Sequence, residues 1–251
     1  METEIYETFA PYYDLCTADV PYGEWAAQIE TIWNKHGFKP KLVLELGCGT
    51  GGMTYRLAAR GYDMIASDIS AGMLSVAADK FSEHRDKILF LQQDMREFEL
   101  YGTVDAAVSV FDCMNYILEA DDIKKVFVNV KTFLNPGGLF VFDANTGEKY
   151  ARISSEGASC RVFENFSYIW ENDYDAARKL NECAAVFFIL KKEGLYKKIT
   201  ERHFQRAYGP REIKNAADAA GLYFLEALDA DTFEEPDGRS ERVYYVLRNG
   251  G

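Results

Sequence analysis

With 251 residues, of which 48% are hydrophobic and 27% charged, the chain is long enough for one large α/β domain, or for one domain with an insertion, and is composed like an ordinary soluble globular protein. A formal net charge of -12 sets it against phosphate backbones, so nucleic acid is an unlikely partner. Five scattered cysteines with no C-x-x-C pair argue against a disulfide framework or a zinc knuckle. The acidic start Met1-Glu2-Thr3-Glu4 lacks the basic start and apolar middle of a signal peptide, and no apolar run approaches membrane-spanning length, so a cytoplasmic setting is expected.

Trp25, Ile29, Ile32 and Trp33 recur at helical spacing and predict an amphipathic helix from Tyr22 to His36, ended by Gly37 and Pro40. A strand at Leu42–Leu46 is followed by a helix over Met53–Arg60 and a second strand, Asp63–Ser67, that ends at Asp68. Ser70 caps the next helix, whose stripe is Met73, Leu74, Ala77, Ala78 and Phe81. Strands at Ile88–Gln92 and Val104–Val110 precede a helix capped by Asp121, and Asn135-Pro136-Gly137-Gly138 stops that helix before a fifth strand, Leu139–Asp143. This alternation specifies a parallel, doubly wound α/β sheet.

The pattern then changes. Arg161–Trp170, Glu182–Leu190 and Leu195–Tyr208 read as long antiparallel strands, with Lys192-Glu193-Gly194 as a turn. Pro210 opens a helix that Gly221 closes, and Leu222–Leu228 and Arg242–Leu247 form a final antiparallel pair at one sheet edge. The expected organisation is a main domain of residues 1–150 and 209–251, with an inserted antiparallel cap at 151–208.

The most informative segment is Val43-Leu44-Glu45-Leu46-Gly47-Cys48-Gly49-Thr50-Gly51-Gly52. Its glycines let the chain turn sharply after the strand and approach a ligand with no Cβ in the way. Glu45 stands at the carboxyl end of the strand, where open α/β sheets bind ligands, and its charge suits a cationic or hydrogen-donating group. The segment also satisfies G-x-G-x-x-G, the dinucleotide fingerprint, and Asp68 can accept both ribose hydroxyls in either case. These residues support an adenosine ligand and leave a nicotinamide-dependent oxidoreductase open.

Four segments in order resemble the class I S-adenosylmethionine-dependent methyltransferases: Glu45–Gly51, Ser67-Asp68-Ile69-Ser70, Gln93-Asp94-Met95 and Leu134–Gly138. The resemblance implies a Rossmann-like, mostly parallel seven-stranded sheet with its last strand antiparallel, and S-adenosylmethionine as cofactor. It implies that Glu45, Gly47, Cys48, Gly49 and Gly51 meet the methionine part, with Asp68 and Ile69 at the ribose. Asp94 and Met95 then meet adenine, and Phe111 lies beside the cofactor. The opening Tyr6–Asp14 resembles the aromatic lid of many small-molecule members, with Tyr13 as the ring over the sulfonium.

The expected acceptor is a small molecule, moved into reach by alignment and exclusion of water, with no protein nucleophile required. Asp112, Asn115 and Tyr116 lie at a carboxyl strand end and are candidates for contact with it. Cys113 reads as a packed thiol. In the insertion, Arg206 and Tyr208 are further acceptor candidates, and His203, on the opposite strand face, is the candidate base, with Tyr13 a second catalytic candidate. No metal cluster is expected. Methylation of protein or tRNA, and a catalytically silent cofactor-binding protein, stand as alternatives; the acceptor's identity and a monomeric or homodimeric state are not readable.

Overall fold

Short apolar runs and amphipathic stretches in alternation build a central sheet flanked by helices. The computed structural model describes residues 9–84 and 86–251. Two helices, α1 (Ala10–Cys16) and α2 (Tyr22–Lys35), precede β1 (Leu42–Leu46), α3 (Gly52–Ala59), β2 (Asp63–Asp68), α4 (Ala71–Lys80) and β3 (Ile88–Gln92). Next come β4 (Val104–Ser109), α5 (Ala120–Phe133), β5 (Leu134–Asn145) and α6 (Gly147–Ser155). Four strands follow, β6 (Ser159–Val162), β7 (Phe166–Asp175), β8 (Leu180–Leu190) and β9 (Tyr196–Arg206), then α7 (Pro210–Ala220), β10 (Leu222–Asp229) and β11 (Arg242–Asn249).

The main sheet has the order β10-β11-β5-β4-β1-β2-β3, and β11 runs antiparallel to both of its neighbours. The other pairs are parallel, so the strand order reverses between β1 and β4. That reversal opens a crevice beyond the carboxyl ends of these two strands, and β1 delivers Glu45 there, in register with Ala66 and Val108.

Alternation along each strand supplies both faces of the sheet with apolar side chains. Trp25, Ile29 and Trp33 of α2 and Leu57 of α3 pack on one face against Val43, Val108, Val141 and Tyr244. On the other face Ile123, Phe127 and Val130 of α5 and Ile213 and Ala217 of α7 cover Leu44, Phe140, Phe142 and Tyr245. A parallel sheet needs this cover on both sides.

Three local expectations change. Asp121 lies inside the first turn of α5, where its charge favours the helix dipole, and the N-cap is Glu119 with no side-chain cap. The turn Asn135–Gly138 is an irregularity within β5: Leu134 pairs with Val104 and Leu139 with Ala106. The segment expected as one strand over 161–170 is folded into β6 and β7 around Phe163–Asn165, and α6, capped by Thr146, occupies the junction at residue 150.

The strands β6-β7-β8-β9 form a separate antiparallel cap sheet. Its inner face is apolar at one end, where Phe9 stacks on Phe187 at 4.2 Å and Tyr12 on Phe166 at 4.9 Å, which docks α1 onto the cap. Of the expected lid, residues 6–8 lie outside the described residues.

The far end of the cap is tied to the main sheet by groups that had been expected to face the acceptor. Asn115 is fully buried; its Nδ2 donates to the Asn145 and Arg206 carbonyls, at 3.0 and 2.7 Å, and its Oδ1 accepts from the Asn145 amide. Tyr208 is buried and its hydroxyl donates to the Ile117 carbonyl, while the Arg206 guanidinium donates to Glu212 and the Leu118 carbonyl. Asn115 and Tyr208 spend their polar groups on the chain, so a structural role replaces the acceptor role expected for them; Arg206 is held by Glu212 and the Leu118 carbonyl, with its buried Nε left over. Asn115→Ala is expected to lower unfolding free energy by about 2–4 kcal/mol, since it strands buried backbone groups; urea denaturation measures it, and a shift below about 0.5 kcal/mol would show the tie to be dispensable.

Candidate active site

The turn after β1 folds back on β2, where the Gly47 and Cys48 amides donate to the Ser67 carbonyl at 2.8 and 2.9 Å. Gly47 has φ +73°, and a Cβ there would stand 2.7 Å from Cys113 Sγ. Gly51 starts α3 at φ +80°, with the Phe81 ring 2.6 Å from where a Cβ would be. Both positions therefore require glycine. The Gly49 amide donates to Asp68 Oδ2 at 2.8 Å and the Ser70 amide to Oδ1 at 2.9 Å, which fixes the carboxylate at the end of β2. A carboxylate fixed in this way at a strand end is the type of acceptor that a ribose diol would require.

Glu45 is buried behind this turn and accepts a 2.6 Å hydrogen bond from the Thr54 hydroxyl. Burial pushes its carboxyl up to about 8, against the opposing Thr54 hydrogen bond, and the Asp68 charge adds to the rise. A small cavity of about 20 Å³, room for one water, adjoins it, lined by Tyr13, Tyr22, Glu45, Gly47, Cys48, Gly49, Phe111 and Cys113 among others. Burial raises the Cys48 and Cys113 thiols. Cys113 Sγ lies 3.1 Å from the Gly47 and Val110 carbonyls, so it packs the turn.

The opposite wall comes from the end of β4. Phe111 and Asp112 both have positive φ, 65° and 54°, a conformation that costs a non-glycine residue about 1–3 kcal/mol. Asp143 of β5 holds them there: its fully buried carboxylate accepts from the Phe111 amide at 3.1 Å and the Asp112 amide at 2.9 Å. Arg242 Nε stands 3.5 Å from the same carboxylate, its guanidinium 3.8 Å over the Trp25 ring. The turn sends the Phe111 ring against Tyr22 and Trp25 beside the cavity. It sends Asp112 toward the cap, where Gln205 Nε2 donates to it and the Tyr150 hydroxyl donates to Gln205. Burial pushes the Asp112 carboxyl up to about 6, with Lys149 opposing the rise and Asp143 adding to it.

Along the ends of β2 and β3, Ile69 stands 60% exposed and Met95 half-buried, an apolar pair suited to a ring. Asp94 is engaged by Arg96: although burial pushes its carboxyl up, hydrogen bonds from the Arg96 side chain and amide outweigh this and hold it below the ordinary range. His203 is buried on the inner face of β9, its ring 6.4 Å from Trp170 and 6.2 Å from Tyr116. Among the described residues, no cluster of His, Cys, Asp or Glu could hold a metal ion.

Tyr13, Glu45, Gly47, Cys48, Gly49 and Phe111 thus meet at one cavity. Tyr22, Asp143 and Gln205 are further parts of the same site that the sequence reading passed over. An acid ending the apolar run Leu139–Asp143 was the available signal for Asp143; Tyr22 and Gln205 had none.

A strand–glycine turn–helix with a buried acid, a second acid fixed by backbone amides one strand over and a cap sheet packed against the same end define a class I cofactor-binding methyltransferase core. Residues 43–138 match the methyltransferase domain family. YqeM of Bacillus subtilis, a methyltransferase by assignment, is 33% identical over 243 residues, 96% of either chain. The solved S-adenosylmethionine-dependent methyltransferase of Clostridium acetobutylicum is 30% identical over 98% of this chain and 99% of that one, with a TM-score of 0.84. The sugar N-methyltransferase KedS8 of Streptoalloteichus shares the fold at 17% identity, with a TM-score of 0.76 over 99% of this chain and 94% of its own. The chain belongs to the S-adenosylmethionine-dependent methyltransferases. It is an enzyme that uses S-adenosylmethionine, and the nicotinamide alternative is set aside.

In the folded, cofactor-free protein Glu45 keeps its proton up to about pH 8, whereas unfolded it ionises from about 4.5. The folded state therefore holds the extra proton, and this group lowers stability as pH rises across that window. A cationic amino group set against Glu45 expels the proton, so S-adenosylmethionine affinity is expected to rise about tenfold per unit between roughly pH 5.5 and 7.5. Calorimetry in buffers of different ionisation enthalpy reads the proton released, and Glu45→Gln removes the dependence; a flat affinity would place the ammonium elsewhere. Asp143→Asn, which puts a donor against two amide donors, is expected to weaken cofactor binding by about 1.5–3 kcal/mol in the same titration.

Proposed function

We propose that the enzyme methylates a small molecule held between the cap sheet and the carboxyl ends of β1 and β4. The observation that carries this reading is the contact of Gln205 with Asp112, which brings the polar end of the cap's inner face directly beside the cofactor cavity. On that side of the cap Tyr116, Trp170 and His203 lie against one another, aromatic and polar groups suited to contact with a metabolite. The net charge of -12 also disfavours tRNA. The printed description of KedS8 as a sugar N-methyltransferase agrees with a small acceptor on this architecture.

When bound, S-adenosylmethionine supplies an activated methyl on a sulfonium, so the chain's task is alignment and the exclusion of water. Glu45 orients the cofactor's amino group and Asp68 its ribose. Tyr13, hydrogen-bonded to Tyr22, presents its ring at the cavity. His203, over the acceptor, is placed to take a proton from it, and Asp112 and Tyr116 border the same space.

The test is methyl-labelled S-adenosylmethionine incubated with a cell extract divided by size. Label in metabolites below about 1 kDa, lost with Asp68→Ala, is the expected outcome, given the charged hydrogen bonds that substitution removes. Label in tRNA or protein would overturn the small-molecule reading.

A further inference from the structure

The inner face of the cap sheet carries a carboxylate that the cofactor chemistry does not use. Glu201 and His203 of β9 have side chains only 3% and 1% exposed, with His203 Nε2 3.3 Å from Glu201 Oε2. Among the described residues, neither Glu201 oxygen has a hydrogen-bond partner, and no lysine or arginine pairs with it. A buried carboxylate left in this condition is strongly unfavourable unless donors reach it.

The sheet register fixes where Glu201 faces. Trp170, Ala185 and Glu201 form one row across β7, β8 and β9, so a single methyl separates an indole ring from a carboxylate. One row toward the strand start lies Ile199, in the aromatic cluster that includes Tyr13; two rows the other way lies Gln205, bonded to Asp112. Tyr13 lines the cofactor cavity, and Asp112 adjoins its Phe111 and Cys113. Glu201 therefore lies on the inner face of the cap between two rows whose neighbours, Tyr13 and Asp112, border that cavity.

We propose that Glu201 is an acceptor-binding residue and that the acceptor is a small amine, whose ammonium group it receives alongside the Trp170 ring. The inference rests on the small-molecule methyltransferase reading and narrows its substrate class. An ammonium offers several donors to a carboxylate that lacks them, and an aromatic face attracts the same charge. A carboxylate or phosphate on the acceptor would meet Glu201 as a like charge.

The test measures S-adenosylhomocysteine affinity first, which judges the methyltransferase site independently. Binding of benzylamine, benzyl alcohol and benzoate is then followed by calorimetry or ligand-observed NMR, with and without S-adenosylhomocysteine. Benzylamine is expected to bind about tenfold or more tightly than benzoate, the scale of a charge-assisted contact. Glu201→Gln is expected to erase that preference and leave S-adenosylhomocysteine affinity unchanged. Should Glu201→Gln fail to fold, Glu201→Asp, with its charge drawn back by one methylene, must reduce the preference. Benzylamine binding no better than benzoate to the wild type, or a preference unaltered in the variant, overturns the proposal even where S-adenosylhomocysteine binds well.

Discussion

The buried carboxylate of Asp143 joins the two halves of the active site. It holds two successive amides of a turn in which neither residue is glycine and both have positive φ. Without a charged acceptor at that point the turn would relax into a more populated conformation. Because it is held, the two residues diverge: Phe111 turns to the cavity beside Glu45 and Asp112 reaches the cap. Arg242, on the antiparallel strand beside β5, offsets part of the charge and rests on Trp25, so the last strand and α2 also bear on the geometry.

Acids accumulate around this crevice. Glu45, Asp68, Asp112 and Asp143 approach it from four parallel strands or their ends, and their mutual repulsion adds to the desolvation of Glu45 and Asp112. A crevice whose carboxyl groups are held toward their neutral forms by burial and by one another suits a ligand with two positive centres, the ammonium and sulfonium of S-adenosylmethionine, which would favour their ionised forms. The cap extends the same electrostatic character outward. Its inner face passes from the aromatic cluster around Phe187, which seats α1, to the polar rows of Glu201, His203 and Gln205. The cap thus packs on α1 through rings at one end and onto the main sheet through hydrogen bonds at the other.

The parallel sheet was legible because its strands are short apolar runs whose helices carry clear stripes, and Ser70 and Gly221 cap and close helices as their chemistry requires. Less regular segments were not. The helix α6 buries only Tyr150, so no stripe announces it, and the β6–β7 turn at Phe163–Asn165 lacks glycine or proline. Asn115, Arg206 and Tyr208 had the right chemistry at plausible positions, yet their partners are carbonyls and a carboxylate from other elements, which residue type alone does not reveal.

By itself the sequence determined the cofactor half of this enzyme. Glu45, Gly47, Gly49, Gly51 and Asp68 stand on one strand, one turn and the end of the next strand, and local backbone geometry translates their spacing directly into proximity. The acceptor half was decided by tertiary structure alone. Gln205 meets Asp112 across 93 residues of chain, and Glu201 comes to share a row with Trp170 only through the register of β7, β8 and β9. Strand register and docking set which polar groups are buried and where they point, and those depend on contacts between elements far apart in the chain.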